Sequence, residues 1–111
     1  MSRSPDQRIS DILDAVDRCL RYVEALDGED ATLAEMAEDA IERNLQIIGE
    51  AANRLPPEVT ETHPEIAWPE IRGFRNILVH QYFGVDTDVV RDVVETYLPA
   101  LAVALRSSGT R

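Results

Sequence analysis

The sequence predicts an all-α fold: an antiparallel, up-and-down bundle of four long helices with room for one short extra turn. Three observations carry that prediction. Apolar residues recur at three- and four-residue spacing through four stretches of the chain. Helix-start signals precede the early stretches, Ser-Pro-Asp-Gln at residues 4–7 and Thr-Leu-Ala-Glu at 32–35. The valine-rich last stretch could suggest a strand by composition, yet its period is helical.

The first helix opens with Ser4 as cap, Pro5 at the first helical position and Gln7 closing a capping box. Ile9, Ile12, Leu13, Val16, Leu20 and Val23 follow at helical spacing, and Asp27-Gly28 is the expected stop. The second helix is expected to open with a Thr32/Glu35 capping box. Its apolar stripe reads Leu33, Met36, Ala37, Ala40, Ile41, Leu45, Ile48 and Ala52. Glu35, Glu38, Asp39 and Glu42 mark the solvated side; carboxylates on an outer face serve solubility and do not converge on a metal. The helix should end near Leu55, before Pro56-Pro57.

Residues 56–69 carry four prolines and read as an ordered connection with a single turn around Glu58 to Thr62. The third long helix is expected from Pro69 to Gln81, with Gly84 as its end. Asp86 is expected to cap the last helix, with Val85 and Val90 placed for a hydrophobic staple. Val89, Val90, Val93, Val94, Tyr97, Leu101 and Leu105 then hold the helical period, with a kink expected at Pro99 and a frayed tail from Ser107 to Arg111.

Length and composition bound what these helices can do. The chain has 111 residues, 44% hydrophobic and 29% charged, which suits one globular domain over residues 1–111. Its net charge of −10 repels a polyanion at long range, so any nucleic-acid contact needs a local cationic patch. All 11 basic residues are arginines, whose planar fork suits phosphate. The single cysteine, Cys19, excludes an internal disulfide, fits a reducing cytoplasm and sits in an apolar stripe, where a small core residue is expected. No secretory signal or bilayer-length apolar run is present, so a cytoplasmic protein without membrane attachment is expected.

The third helix carries the chemistry. At about 100° per residue, Ile71, Phe74, Ile77 and Leu78 fall on one side, and Arg72, Arg75, Asn76 and His80 on the other, with Val79 among them. Arg72, Asn76 and His80 form a row at i, i+4 and i+8, with Arg75 beside it. Arginine can hold a phosphodiester and stabilise charge on a phosphorane-like transition state. Histidine can move a proton near neutral pH. Asparagine can orient the histidine or hold an oxygen. These groups suffice for RNA cleavage by attack of a ribose 2′-OH on its own phosphate, a reaction that needs neither metal nor cofactor. A base and an acid are both useful there, and a two-fold dimer would bring a second copy of the motif. The same residues are open to blander readings. Arg72 and Arg75 could pair with acidic residues on a neighbouring helix, and Tyr82 could be a core tyrosine with its hydroxyl at the edge. His63, before Pro64, reads as a turn or surface residue.

Arg75-x4-His80-x-Tyr82, with Asn76 after the arginine, resembles the motif of HepT-like toxins in the HEPN superfamily of helical nucleases. AIERNLQIIGEAANRL at 40–55 and WPEIRGFRNILVHQYFGVD at 68–86 resemble that family's two conserved blocks, and the Leu98-Pro99 ending is similar. The resemblance implies a HEPN-like bundle, a homodimer and metal-independent ribonuclease activity with Arg75 and His80 catalytic and Asn76 in support; the helical row adds Arg72 as a supporting residue. It also implies an MntA-type nucleotidyltransferase as partner antitoxin, which transfers AMP to the motif tyrosine, here Tyr82. An added nucleotide there would place bulk and negative charge beside Arg75 and His80. Arg91 departs from the tryptophan often found at its position, with either altered packing or added cationic surface as the consequence. Glu50 is a candidate partner for a motif arginine, or equally a solvated carboxylate paired with Arg54 at i+4.

Three functions are thus compatible with the residues: a toxin ribonuclease acting on RNA, a non-catalytic module that binds a nucleotide or the nucleotidyltransferase, and a structural helical dimer.

Overall fold

The structure, a computed structural model, describes residues 3–74, 76 and 87–108. Helix α1 spans Pro5–Tyr22 and continues as a 3-10 turn over Val23–Asp27. Helix α2 spans Ala31–Asn53, α3 Pro57–Thr60, α4 Trp68–Arg72 and α5 Thr87–Ser108. The fold is all-α, as expected.

Helix α1 begins as its sequence dictates. The Ser4 side chain accepts from the Gln7 backbone N–H at 3.1 Å, and the Gln7 side chain accepts from the Ser4 backbone N–H at 2.8 Å. Its stop differs in kind from the expected one. The α-helix gives way after Tyr22 to the tighter 3-10 turn, and Gly28 follows in extended backbone, φ −72°. Helix α2 starts earlier than Thr32. The cap is Asp30, whose carboxylate accepts from the Leu33 N–H at 3.1 Å, so Thr32 lies inside the helix and the Thr32/Glu35 box does not form. Asp30 wins because a carboxylate both satisfies an orphan N–H and meets the positive end of the helix dipole.

Among the described residues, the long helices α1, α2 and α5 share one core. Ile12 and Val16 of α1, Ile41, Leu45 and Ile48 of α2, and Val90, Val94, Leu98, Leu101 and Leu105 of α5 are fully buried there. Cys19 is buried with them, as expected of a small core residue, and burial pushes its thiol up to about 12. Met36 and Leu33, read as part of the α2 stripe, are exposed. At about 100° per residue Met36 lies about 140° around the helix from Ile41, outside the arc the core covers.

Ion pairs show the directions of the helices. Arg91 near the start of α5 binds Asp27 at the end of the 3-10 turn, and Arg106 near the end of α5 binds Asp17 of α1 at 3.1 Å. The two helices therefore run antiparallel. Thr87 at the start of α5 donates to Glu38 in the first half of α2 at 3.2 Å. Helices α2 and α5 thus point the same way. Arg91 adds no free cationic surface: it is three-quarters buried and clamped between Asp27 and Asp88. Helix α5 runs through Pro99, which lies on its exposed face, and on to Ser108. Gly84, Val85 and Asp86, the expected stop, staple and cap, lie outside the described residues.

Candidate functional site

The connection after α2 is built around one indole. Trp68 is buried, and its Nε1–H is shared between the carbonyls of Thr60 at 3.1 Å and His63 at 3.0 Å. That fork closes residues 60–68 into a fixed loop and sets where α4 begins. The turn expected around Glu58 to Thr62 is the short helix α3, Pro57–Thr60. His63 lies in the turn that follows, but it is buried rather than on the surface, with Nδ1 3.5 Å from a Glu65 carboxylate oxygen. It belongs to the loop that the Trp68 indole closes.

Helix α4 then packs on α2 at a glycine. A Cβ at Gly49 would lie 3.0 Å from the Ile71 carbonyl oxygen and 3.7 Å from that of Arg72, so the bare glycine lets the two backbones approach. Ile71 and Phe74 are buried, Phe74 tilted against the Tyr97 ring of α5 with centroids 5.7 Å apart. Arg72 and Asn76 are exposed. The two faces predicted for this segment are therefore realised over its first part: aliphatic and aromatic groups inward, guanidinium and amide outward. The expected uninterrupted helix from Pro69 to Gln81 begins one residue early, at Trp68, and passes a turn at Gly73, whose N–H bonds back to Pro69 and Glu70. The Asn76 N–H donates to the Gly73 carbonyl at 2.9 Å, a three-residue step that tightens the backbone there.

Of the predicted site residues, Arg72 and Asn76 stand on this exposed face; Arg75, His80 and Tyr82 lie outside the described residues. Among the described residues Arg72 makes no ion pair, so its guanidinium keeps its five donors for another partner. Glu50 makes no pair with Arg54 either; both line a groove on another side of α2. The half-buried Glu42 carboxyl is raised from its ordinary value of 4.5 by burial and then by repulsion from Glu38 and Asp39. No group of three or more His, Cys, Asp or Glu side chains is placed to hold a metal ion among the described residues. Sequence reasoning missed two positioning residues. Gly49 could have been found, since a glycine inside a strong helical stripe signals close packing. The forked role of Trp68 has no such local signal, because its acceptors are carbonyls fixed by the loop.

The sequence has relatives along most of its length. The family described as Ribonuclease HepT-like matches residues 12–107. “Probable ribonuclease HepT” of Thermococcus cleftensis is 35% identical over 101 residues, covering 91% of this chain and 92% of that protein. “Putative RNase TTE0752” of Caldanaerobacter subterraneus is 32% identical over 99 residues, 89% of this chain and 88% of that protein. “Putative RNase MJ0125” of Methanocaldococcus jannaschii is 33% identical over 91 residues, 82% and 78% of the two chains. No solved structure matches the chain. With its core, its α4 docking and its whole motif inside the matched span, the chain belongs to the HepT-like ribonuclease family.

Proposed function

We propose that this chain is the ribonuclease toxin of a HepT/MntA-type pair, a single HEPN-type domain that acts as a homodimer in the cytoplasm and cuts RNA without metal or cofactor. The observation that carries the reading is that the family match over residues 12–107 contains Arg75, Asn76, His80 and Tyr82 at the motif spacing. In the reaction, the 2′-oxygen attacks the adjacent phosphorus, the 5′-oxygen leaves, and a 2′,3′-cyclic phosphate remains. His80 takes the 2′-OH proton or delivers one to the leaving oxygen, and the second copy of the motif supplies the other function. Arg75 neutralises charge as it grows on the phosphoryl oxygens. Arg72 and Asn76, exposed beside it, hold the flanking phosphate and sugar.

The partner nucleotidyltransferase adds AMP to Tyr82: the phenolic oxygen attacks the α-phosphorus of a nucleoside triphosphate and pyrophosphate leaves. The new phosphodiester is negative and bulky, and competes with RNA for the same guanidiniums. His80→Ala is expected to abolish cleavage and growth inhibition while the circular dichroism spectrum stays helical. Cleavage by that variant at the wild-type rate would refute the catalytic assignment. The intact mass, with and without the neighbouring gene, reads the modification. A second reading draws on the net charge of −10: the motif face binds a nucleotide or the transferase and cuts nothing. RNA cleavage that follows the titration of His80 excludes it.

A further inference from the structure

Helical spacing offers two arginines a carboxylate each: Asp11 at i+3 from Arg8, and Glu50 at i−4 from Arg54. Neither pair forms. Asp11 is held instead by Arg3, whose Nε and Nη2 lie 2.6 and 2.9 Å from its two oxygens. Among the described residues neither Arg8 nor Arg54 makes an ion pair, in a chain where 21 carboxylates face 11 arginines. Yet Arg8, Asp11, Glu50 and Arg54 all line one groove between α1 and α2, about 180 Å³ in volume, with Ile47 and Ala51 in its wall. Asp11 and Ile47 also border a second hollow of about 380 Å³ that adds Arg3, Asp14 and Arg18, so the two run together along the α1–α2 seam.

The helix dipoles do not account for this. Arg54 at the C-cap of α2 is favoured by the negative end of its helix, but Arg8 lies at the positive end of α1 and gains nothing from it. The groove thus holds two guanidiniums from opposite walls, one carboxylate without an ion pair and an aliphatic lining. Guanidiniums suit phosphate oxygens. An ionised carboxylate only accepts, and beside a phosphate it suits a ribose hydroxyl. The aliphatic wall suits the face of a sugar or base.

We propose that the α1–α2 groove binds a ribose phosphate, Arg8 and Arg54 donating to the phosphate and Glu50 accepting from a ribose hydroxyl. The ligand is a stretch of RNA strand or a free nucleotide, which share this chemistry. Gly49 meets α4, whereas Ile47, Glu50 and Arg54 face the groove, so this subsite lies on another side of α2 from α4. It rests on the reading of the chain as an RNA-acting protein and adds a contact to the strand.

The test uses the full chain, a fluorescein-labelled single-stranded 20-mer RNA, the same sequence as DNA, and AMP, read by anisotropy across a salt series. The Arg8→Gln/Arg54→Gln double variant is expected to bind RNA at least about tenfold more weakly. Its slope of log affinity against log salt should fall by about 0.7, for one phosphate no longer neutralised. In cleavage, KM should rise far more than kcat falls. Glu50→Ala, which removes the acceptor, should reduce the preference for RNA over DNA. AMP binding that the double variant abolishes identifies a free nucleotide as the occupant and keeps the site. Wild-type affinity and salt slope in the double variant overturn the proposal, as does a change in its mass by sedimentation, which would make the groove an interface between copies. The two readings fail separately: a wild-type protein that binds RNA through the groove but never cuts it sinks the ribonuclease alone.

Discussion

From Ile41 onward in α2, Ile41, Leu45, Ile48 and Ala52 are fully buried; nearer its start, Leu33 and Met36 are 51% and 62% exposed. Both sets recur at helical spacing, and both belong to one 23-residue helix. They differ in angle. Stepped at about 100° per residue, the buried four share an arc of about 60°, while Leu33, Met36, Ala40 and Ile47 form a second ridge centred about 120° away. A run of apolar residues at mixed threes and fours can be one wide stripe or two narrow ones. The structure makes it two: one ridge enters the three-helix core, and the other runs along the outside and ends in the arginine-lined groove.

The largest expected effect comes from breaking the buried ridge. Ile48→Ala should cost about 2–5 kcal/mol, because its neighbours on three helices cannot collapse onto the void. Met36→Ala, on the exposed ridge, should change stability by less than about 0.5 kcal/mol. Urea melts of the two variants measure the contrast. If Met36→Ala proves costly and the cost grows with protein concentration, the outer ridge is covered by a second copy in solution.

That contrast also shows how far the sequence could be read. The all-α class, the Ser4/Gln7 box, the α5 stripe and the burial of Cys19 were all legible, because each depends on local spacing or a local cap. The outward Arg72 and Asn76 and inward Ile71 and Phe74 were legible from one wheel. The two-ridge nature of α2 was not, since periodicity gives the direction of a side chain and not what lies there to meet it. The burial of His63 and the Trp68 fork depend on a loop closing on itself, which no window of sequence encodes. The unmade Arg8–Asp11 and Glu50–Arg54 pairs were illegible for the same reason: Arg3 reaches Asp11 from outside the helix.

A middle-sized effect separates the two candidate caps of α2. Asp30→Ala removes the acceptor for the Leu33 N–H and should cost about 1 kcal/mol. Thr32→Ala should cost nothing or stabilise slightly, because inside a helix alanine is the better helix former. Equal losses from both substitutions, read by thermal melts, would mean that the helix starts at Thr32 after all.

The smallest effect tests the border between the acidic flank and the core. The Glu42 carboxyl is raised above its ordinary 4.5 by burial first, then by Glu38 and Asp39. The sign follows from linkage. A group that binds its proton more tightly when folded supports the fold below its unfolded pKa, and that support is lost as pH rises through the folded value. At neutral pH the ionised Glu42 therefore opposes folding. Glu42→Gln should raise Tm slightly at neutral pH, with the gain shrinking to nothing as the pH falls below 4.5, where the wild-type carboxyl is protonated in both states. A gain that stays constant across the titration would place its origin in packing or helix propensity. A loss at neutral pH would mean that the charge is answered by a cation, and that this flank of α2 is a contact surface instead of a solvated one.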